Sequence, residues 1–261
     1  DGYKLVEAPH LGMEHQSAVA YGNHFQNGYR GTDRSHTGLG LGWDFIIVHE
    51  SAHEWFGNNI TTKDIADSWV HEGFANYAEI LYEECQGGKE KGALYAIGER
   101  ANLKNDAPII SQYGLNREGS GDMYEKGGNM LHTIRQIIGD DEKWRSILRG
   151  LNKTFWHQTV TGTQVEDYIS QQAGIDLSKV FAQYLTTTNI PVFEYSVKGK
   201  ALTYRWTNVI DGFDMPVRVT VGNASMLLRP TTKPQTTRIA SGDATVTVDP
   251  SFFVTAHRTG G

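Results

Sequence analysis

The sequence predicts an α+β chain: a mainly helical unit over residues 1–188, then a small antiparallel, β-sandwich-like unit over 189–261. Apolar residues recur at three- and four-residue spacing between Asp44 and Leu185, and the period switches to two beyond Pro191. No apolar run approaches the roughly 18 residues of a membrane helix; Phe45-Ile46-Ile47-Val48 is far too short. With 261 residues, 39% hydrophobic and 21% charged, the chain is long enough to bury a substantial core.

The first 43 residues, rich in Gly, His, Asn and Tyr, read as one or two strands, such as Ser17-Ala18-Val19-Ala20-Tyr21, and a long loop. Gly38-Leu39-Gly40-Leu41-Gly42 lacks the preceding strand and the Lys-Ser/Thr ending of a phosphate loop, so it reads as a flexible approach. Asp44 is an N-cap for a helix carrying Phe45, Val48, Ala52, Trp55 and Phe56, stopped by Gly57-Asn58-Asn59. A second helix starts near Ser68, carries Trp69, Phe74, Tyr77, Ala78, Leu81 and Tyr82, and ends at Gly87-Gly88. A looser segment leads to Tyr124, and Met130, Leu131, Ile134, Ile137 and Ile138 mark a third helix closed by Gly139. Further helices are expected around 141–148, 163–172 and 177–185, the middle one with a capping box of Thr163 and Glu166. Alternating segments at 195–197, 202–204, 217–221 and 246–248 then read as strands, with turns at Gly199, Gly212, Gly222-Asn223 and Gly242-Asp243.

Charge and cysteine content narrow the function. The 24 Lys+Arg against 30 Asp+Glu give a net charge of −6, which argues against a nucleic-acid partner. Cys85 stands alone, excluding an internal disulfide and any multi-cysteine metal site. Asp1-Gly2-Tyr3-Lys4 is neither a signal peptide nor an initiator Met start, so the chain reads as cut from something longer.

The chemistry concentrates in His49-Glu50-Ser51-Ala52-His53. Four residues apart on a helix, the two imidazoles leave one face about a turn apart and can grip a single metal ion. Glu50 then sits beside the metal, placed to take a proton from water. The plain alternative is a helix with two surface histidines. Glu72, nineteen residues after His53 and in the first turn of the second helix, would complete a His-His-Glu site with an open fourth position.

Three blocks, residues 49–58 (HESAHEWFGN), 69–77 (WVHEGFANY) and Tyr124-Glu125-Lys126-Gly127, closely resemble the aminopeptidase N and leukotriene hydrolase family of zinc metallopeptidases. These are gluzincins with a thermolysin-like catalytic domain, and the likeness extends over about residues 10–190, with the family's leading domain and first catalytic strands missing. The resemblance implies one Zn2+ per chain held by His49, His53 and Glu72, with Glu50 as base and Tyr124 steadying the tetrahedral intermediate. A phenol is neutral at pH 7 and donates, so it stabilises developing oxyanion charge without competing for metal. Leu11-Gly12-Met13-Glu14-His15 is similar to the family's Gly-x-Met-Glu-Asn motif, implying that Gly12, Met13 and Glu14 bind substrate and that Glu14 pairs with its free α-amine. Leu11 and His15 depart from that motif, which keeps an endopeptidase of the same fold in view. A weakly active, zinc-stabilised peptide-binding fragment is the third reading. The expected partner is a peptide with a free amino terminus.

Other candidates read as ordinary. His71 is expected on the surface or behind the site, and Glu54 cannot easily share the face of His53. Glu79, two turns beyond Glu72, falls where a carboxylate could orient a ligand imidazole. His10, His24, His36, His132, His157 and His257 have no ligand spacing and read as solvated or hydrogen-bonded.

Overall fold

In the computed structural model, which describes residues 2–242 and 244–260, the opening segment forms a three-stranded sheet. Asp1, Asp243 and Gly261 lie outside the described residues, so the expected Gly242-Asp243 turn is not fully covered. Strands β1 (Leu5–Glu7), β2 (Gly12–Met13) and β3 (Val19–Tyr21) are ordered β1-β3-β2, with β1 parallel and β2 antiparallel to β3. Val19, Ala20 and Tyr21 are all buried, as a central strand covered on both faces requires. β2 lies against α1 (Phe45–Ala52) where only glycine fits: a Cβ on Gly12 would run into Glu50 Oε1 and stand 2.9 Å from Ile46 Cγ2.

Asp44 caps α1 by accepting from the Ile46 and Ile47 amides. The chain then turns into β4 (Ile60–Thr62) and enters α2 (Trp69–Gly87). The segment expected to be loose contains α3 (Lys89–Glu99), packed on α2. Its buried face is Gly92, Tyr95, Ala96 and Glu99, a helical spacing in which a glycine and a carboxylate replace apolar residues. The stripe is therefore hidden from a hydrophobic pattern. Next, α4 (Glu125–Ile138) crosses α2 at Gly73 and Gly127, where a Cβ on Gly127 would sit 2.9 Å from Gly73 Cα. That crossing brings the start of α4 against the start of α2.

Asp140 caps α5 (Asp141–Thr154), which buries Trp144, Ile147 and Leu151. β5 (Gln158–Val160) pairs in parallel with β4. The capping box of α6 (Gly162–Ala173) is Thr161 with Gln164, two residues earlier than Thr163 with Glu166, because the helix already begins at Gly162. α7 (Ser178–Thr186) completes the helices.

The remaining strands are β6 (Val192–Lys198), β7 (Ala201–Thr207), β8 (Val217–Val221), β9 (Ala224–Leu228), β10 (Gln235–Arg238), β11 (Val246–Val248) and β12 (Thr255–Arg258). They form two sheets, β10-β7-β6-β12 and β11-β8-β9. The expected antiparallel arrangement fails at β12, which pairs with β6 in parallel. The chain before β12 is tied to the helices: the Phe253 amide donates to Thr133 Oγ1, and Tyr184 donates to Phe253 O. It therefore enters β12 from the helical side, alongside the start of β6. One apolar cluster runs through helices and sheets alike, from Tyr21 to Phe253. The architecture is α+β, and no helix among the described residues is long and apolar enough to cross a membrane.

His132 corrects the expectation of a solvated or hydrogen-bonded histidine. It is buried on α4, and neither ring nitrogen has a hydrogen-bond partner among the described residues. Burial, reinforced by Arg100 and Arg135, pushes its pKa down to about 3. An unfolded histidine takes its proton near 6.5, so the fold binds fewer protons between those values. Its contribution is complete above pH 6.5 and is lost as pH falls, by about 1.4 kcal/mol per pH unit. His132→Gln should flatten the acid loss of stability between pH 6.5 and 5, measured by urea unfolding. An equally steep loss in the variant would rule out His132 as its source.

Candidate active site

Helices α1 and α2 place three side chains around one point. His49 Nε2 and His53 Nε2 are 3.3 Å apart, and each is 3.4 Å from Glu72 Oε2. His49 is 7% exposed and His53 1%, so water cannot easily solvate this cluster. The outer nitrogen of each ring faces an acceptor: His49 Nδ1 lies 2.8 Å from Glu79 Oε1, and His53 Nδ1 lies 2.9 Å from Phe56 O. Those acceptors fix the proton on Nδ1 and turn both Nε2 lone pairs inward. Glu79 thus occupies the orienting position its spacing suggested, while the Phe56 carbonyl left no sequence signal.

Burial disfavours charge on His49, but Glu72 and Glu79 outweigh it and hold its pKa well above the ordinary value. Burial likewise opposes ionisation of Glu72, yet His49 and His53 hold that carboxyl far below the usual range. The cluster stabilises positive charge at its centre. Atoms bound about 2.0–2.1 Å from a tetrahedral zinc stand about 3.3–3.4 Å apart, the spacing seen here. Glu72 Oε2 is buried without a hydrogen-bond partner among the described residues. Donor types, edge lengths and the orphaned oxygen fit a divalent ion with one open position.

Glu50 is buried beside this triangle, and its Oε2 also has no hydrogen-bond partner among the described residues. Burial first, then Glu14 and Glu72, pushes its pKa up to about 7 against the pull of His49 and His53. Tyr124 follows a short 3-10 turn at Gly121–Met123 and precedes α4, with its ring 5.8 Å from that of His49. Burial and Glu72 hold its phenol above the ordinary value, so it is a donor at neutral pH. Carboxylate and ring atoms of Glu14, Glu50 and His53 lie within 4.8 Å of one another, bringing the Met-Glu segment to the site. Asn58 Nδ2 donates to Glu14 O at 3.2 Å and fixes that segment. Gly12 and Met13 line the same cavity.

Three cavities meet at Tyr124. One of about 450 Å³ is lined by Glu14, Glu50, Glu72 and Glu118, and one of about 410 Å³ by Tyr29, Arg34, Phe45 and Glu50. The third, about 720 Å³, includes Arg34, Lys104 and Arg117. Arg34 pairs with Glu125 and lies over the Tyr29 ring at 5.3 Å and the Phe45 ring at 5.9 Å. His71 also lines the cavity that holds Glu14, with its Nε2 accepting from the Thr62 amide at 2.9 Å. Arg34 and Glu118 carried no recognisable motif.

The profile of the peptidase family M1 domain matches residues 41–184, more than half of the chain. The chain belongs to peptidase family M1, a family of metallopeptidases. It is 26% identical over 215 residues to a probable aminopeptidase 1 of Sulfurisphaera tokodaii, covering 77% of this chain and 27% of that protein. It is 28% identical over 167 residues to aminopeptidase N of Lactobacillus helveticus, covering 56% of this chain and 19% of that protein. The chain thus spans about a quarter or less of these curated relatives. A structure of a mutant M1 zinc metallopeptidase from Deinococcus radiodurans, bound to a Tyr-Ser-Ala substrate, shares the fold with a TM-score of 0.55 at 24% identity. The match covers 72% of this chain and 39% of that one.

Removing the carboxylate behind His49 tests how much the orienting contact matters. Glu79→Ala should weaken divalent-ion affinity about 10- to 100-fold in chelator competition. Undiminished affinity would assign Glu79 to packing alone.

Proposed function

We propose that the chain is the catalytic portion of a zinc aminopeptidase. The helical residues 1–188 would form a thermolysin-like catalytic domain, and 189–261 a β-sandwich-like domain. The observation that carries this reading is the triangle of His49, His53 and Glu72 donors at 3.3–3.4 Å, with Glu50 buried alongside. One zinc per chain, when bound there, supplies a Lewis acid for the peptide carbonyl and for water.

The chain's own residues supply the rest. Glu50, unpaired in a dry wall, takes the proton from the attacking water and passes it to the leaving amine. Tyr124 donates its hydroxyl to the carbonyl oxygen as negative charge builds there. Glu14 pairs with the substrate α-ammonium, so cleavage falls after the first residue. The bare edge at Gly12 leaves its backbone free to lie beside an extended peptide.

Glu50→Gln should keep its metal by elemental analysis yet lose about a hundredfold to ten-thousandfold in turnover of aminoacyl-nitroanilides. Near-normal turnover would remove Glu50 from the reaction. Glu14→Ala should cost free-amine substrates about a hundredfold in kcat/KM while sparing amino-blocked peptides, followed by product masses. Equal losses on both would favour the endopeptidase reading, and zinc binding without turnover of either would favour the peptide-binding fragment.

A further inference from the structure

Tyr124 stands where the backbone offers it no regular support. Its φ of −70° and ψ of −85° fit neither helix nor strand, and α4 begins there without a side-chain cap. Its orientation therefore rests on the residues to either side. Two before it, Asp122 is buried, and its carboxylate accepts from the Lys104 amide at 3.0 Å and the Asn105 amide at 2.5 Å. Two after it, Lys126 is fully buried, and its Nζ donates to Asn105 Oδ1 at 3.0 Å and to Thr187 O at 2.7 Å. One residue, Asn105, thus grips both flanks of Tyr124 from 17 and 21 positions away in the chain.

Residue type and conformation suit Asn105 to this place. Its φ of +51° lies in the left-handed region, which asparagine enters at less cost than most residues. Its backbone amide serves Asp122, its side-chain oxygen serves Lys126, and its side-chain nitrogen donates to Thr188 O. A buried amine needs each acceptor it has, so loosening Asn105 lets Lys126, and with it the first turn of α4, shift. Asn105 lines none of the three cavities that meet at Tyr124.

Building on the aminopeptidase reading, we propose that Asn105 is a positioning residue for that reaction: its grip on Asp122 and Lys126 holds the Tyr124 hydroxyl where the carbonyl oxygen gains charge. Its loss acts on the transition state through Tyr124 and leaves substrate and metal affinity in place. A displacement of about 1 Å in such a group costs about a hundredfold in rate.

Asn105→Gly removes the side chain yet keeps the amide for Asp122 and accepts the positive φ. On leucyl-p-nitroanilide it should lower kcat about 10- to 100-fold, with KM and zinc content within about twofold of wild type. Lys126→Met, which withdraws the other half of the grip, should repeat that loss. In a Tyr124→Phe chain, already slowed about 100- to 1,000-fold, N105G should cost less than about twofold more, because the group it positions is gone. A phosphinic analogue of Leu-Ala, whose tetrahedral oxygens mimic the reacting carbonyl, should bind N105G about tenfold more weakly by calorimetry, with no such loss when N105G is added to Y124F. An unchanged kcat in N105G, or an equal loss in both backgrounds, would overturn this role while leaving the aminopeptidase reading intact. If the nitroanilide is not hydrolysed but the phosphinic affinities keep this pattern, the peptidase reading fails and the grip on Tyr124 stands.

Discussion

Three acceptors pointed at one another constrain everything around them. Two imidazole lone pairs and a carboxylate oxygen repel at 3.3–3.4 Å unless positive charge sits between them. The protein cannot relax by rotating the rings, because Glu79 and the Phe56 carbonyl hold their outer nitrogens. The close crossing of α2 and α4 at Gly73 and Gly127, and the bare edge at Gly12, let Tyr124 and the Met-Glu segment approach the same point. Helix packing and strand placement converge on this one triangle of acceptors.

Behind the triangle lies a second polar layer. Tyr95 donates to Glu79 Oε2 at 3.0 Å, and Asn76 Nδ2 donates to Glu99 Oε1 at 3.0 Å. Burial, together with the neighbouring acids Glu79 and Glu125, holds Glu99 well above the ordinary carboxylate range. Helix α3 contributes both Tyr95 and Glu99 to this layer. Its role is to stiffen the carboxylate that aims His49.

Much of the site was legible because helical spacing is short-range arithmetic. His49, His53, Glu72 and Glu79 lie one or two turns apart on two helices, so their shared faces follow from residue number alone. What escaped depends on distant chain segments. The Phe56 carbonyl acts through backbone, and the irregular loop that borders the cleft is tied to Asp67 and Asp64 through Tyr113 and Gly114, partners far off in sequence. Helix α3 escaped because a buried glycine and glutamate interrupt its stripe, and the α6 cap slipped by two residues because a glycine begins that helix. The parallel entry of β12 was hidden because the connection before it is anchored on α4 and α7.

The segment 103–120 is almost wholly irregular and is moored mainly by a few hydrogen bonds, with the buried Ile109 as its apolar anchor. It contributes a wall of the cleft but no atom of the triangle of His49, His53 and Glu72. Changes of charge or bulk in this stretch therefore leave the three donor atoms where they are. The wall and the ligand geometry behind it are separate pieces of architecture, joined by a handful of tethers and able to vary one at a time.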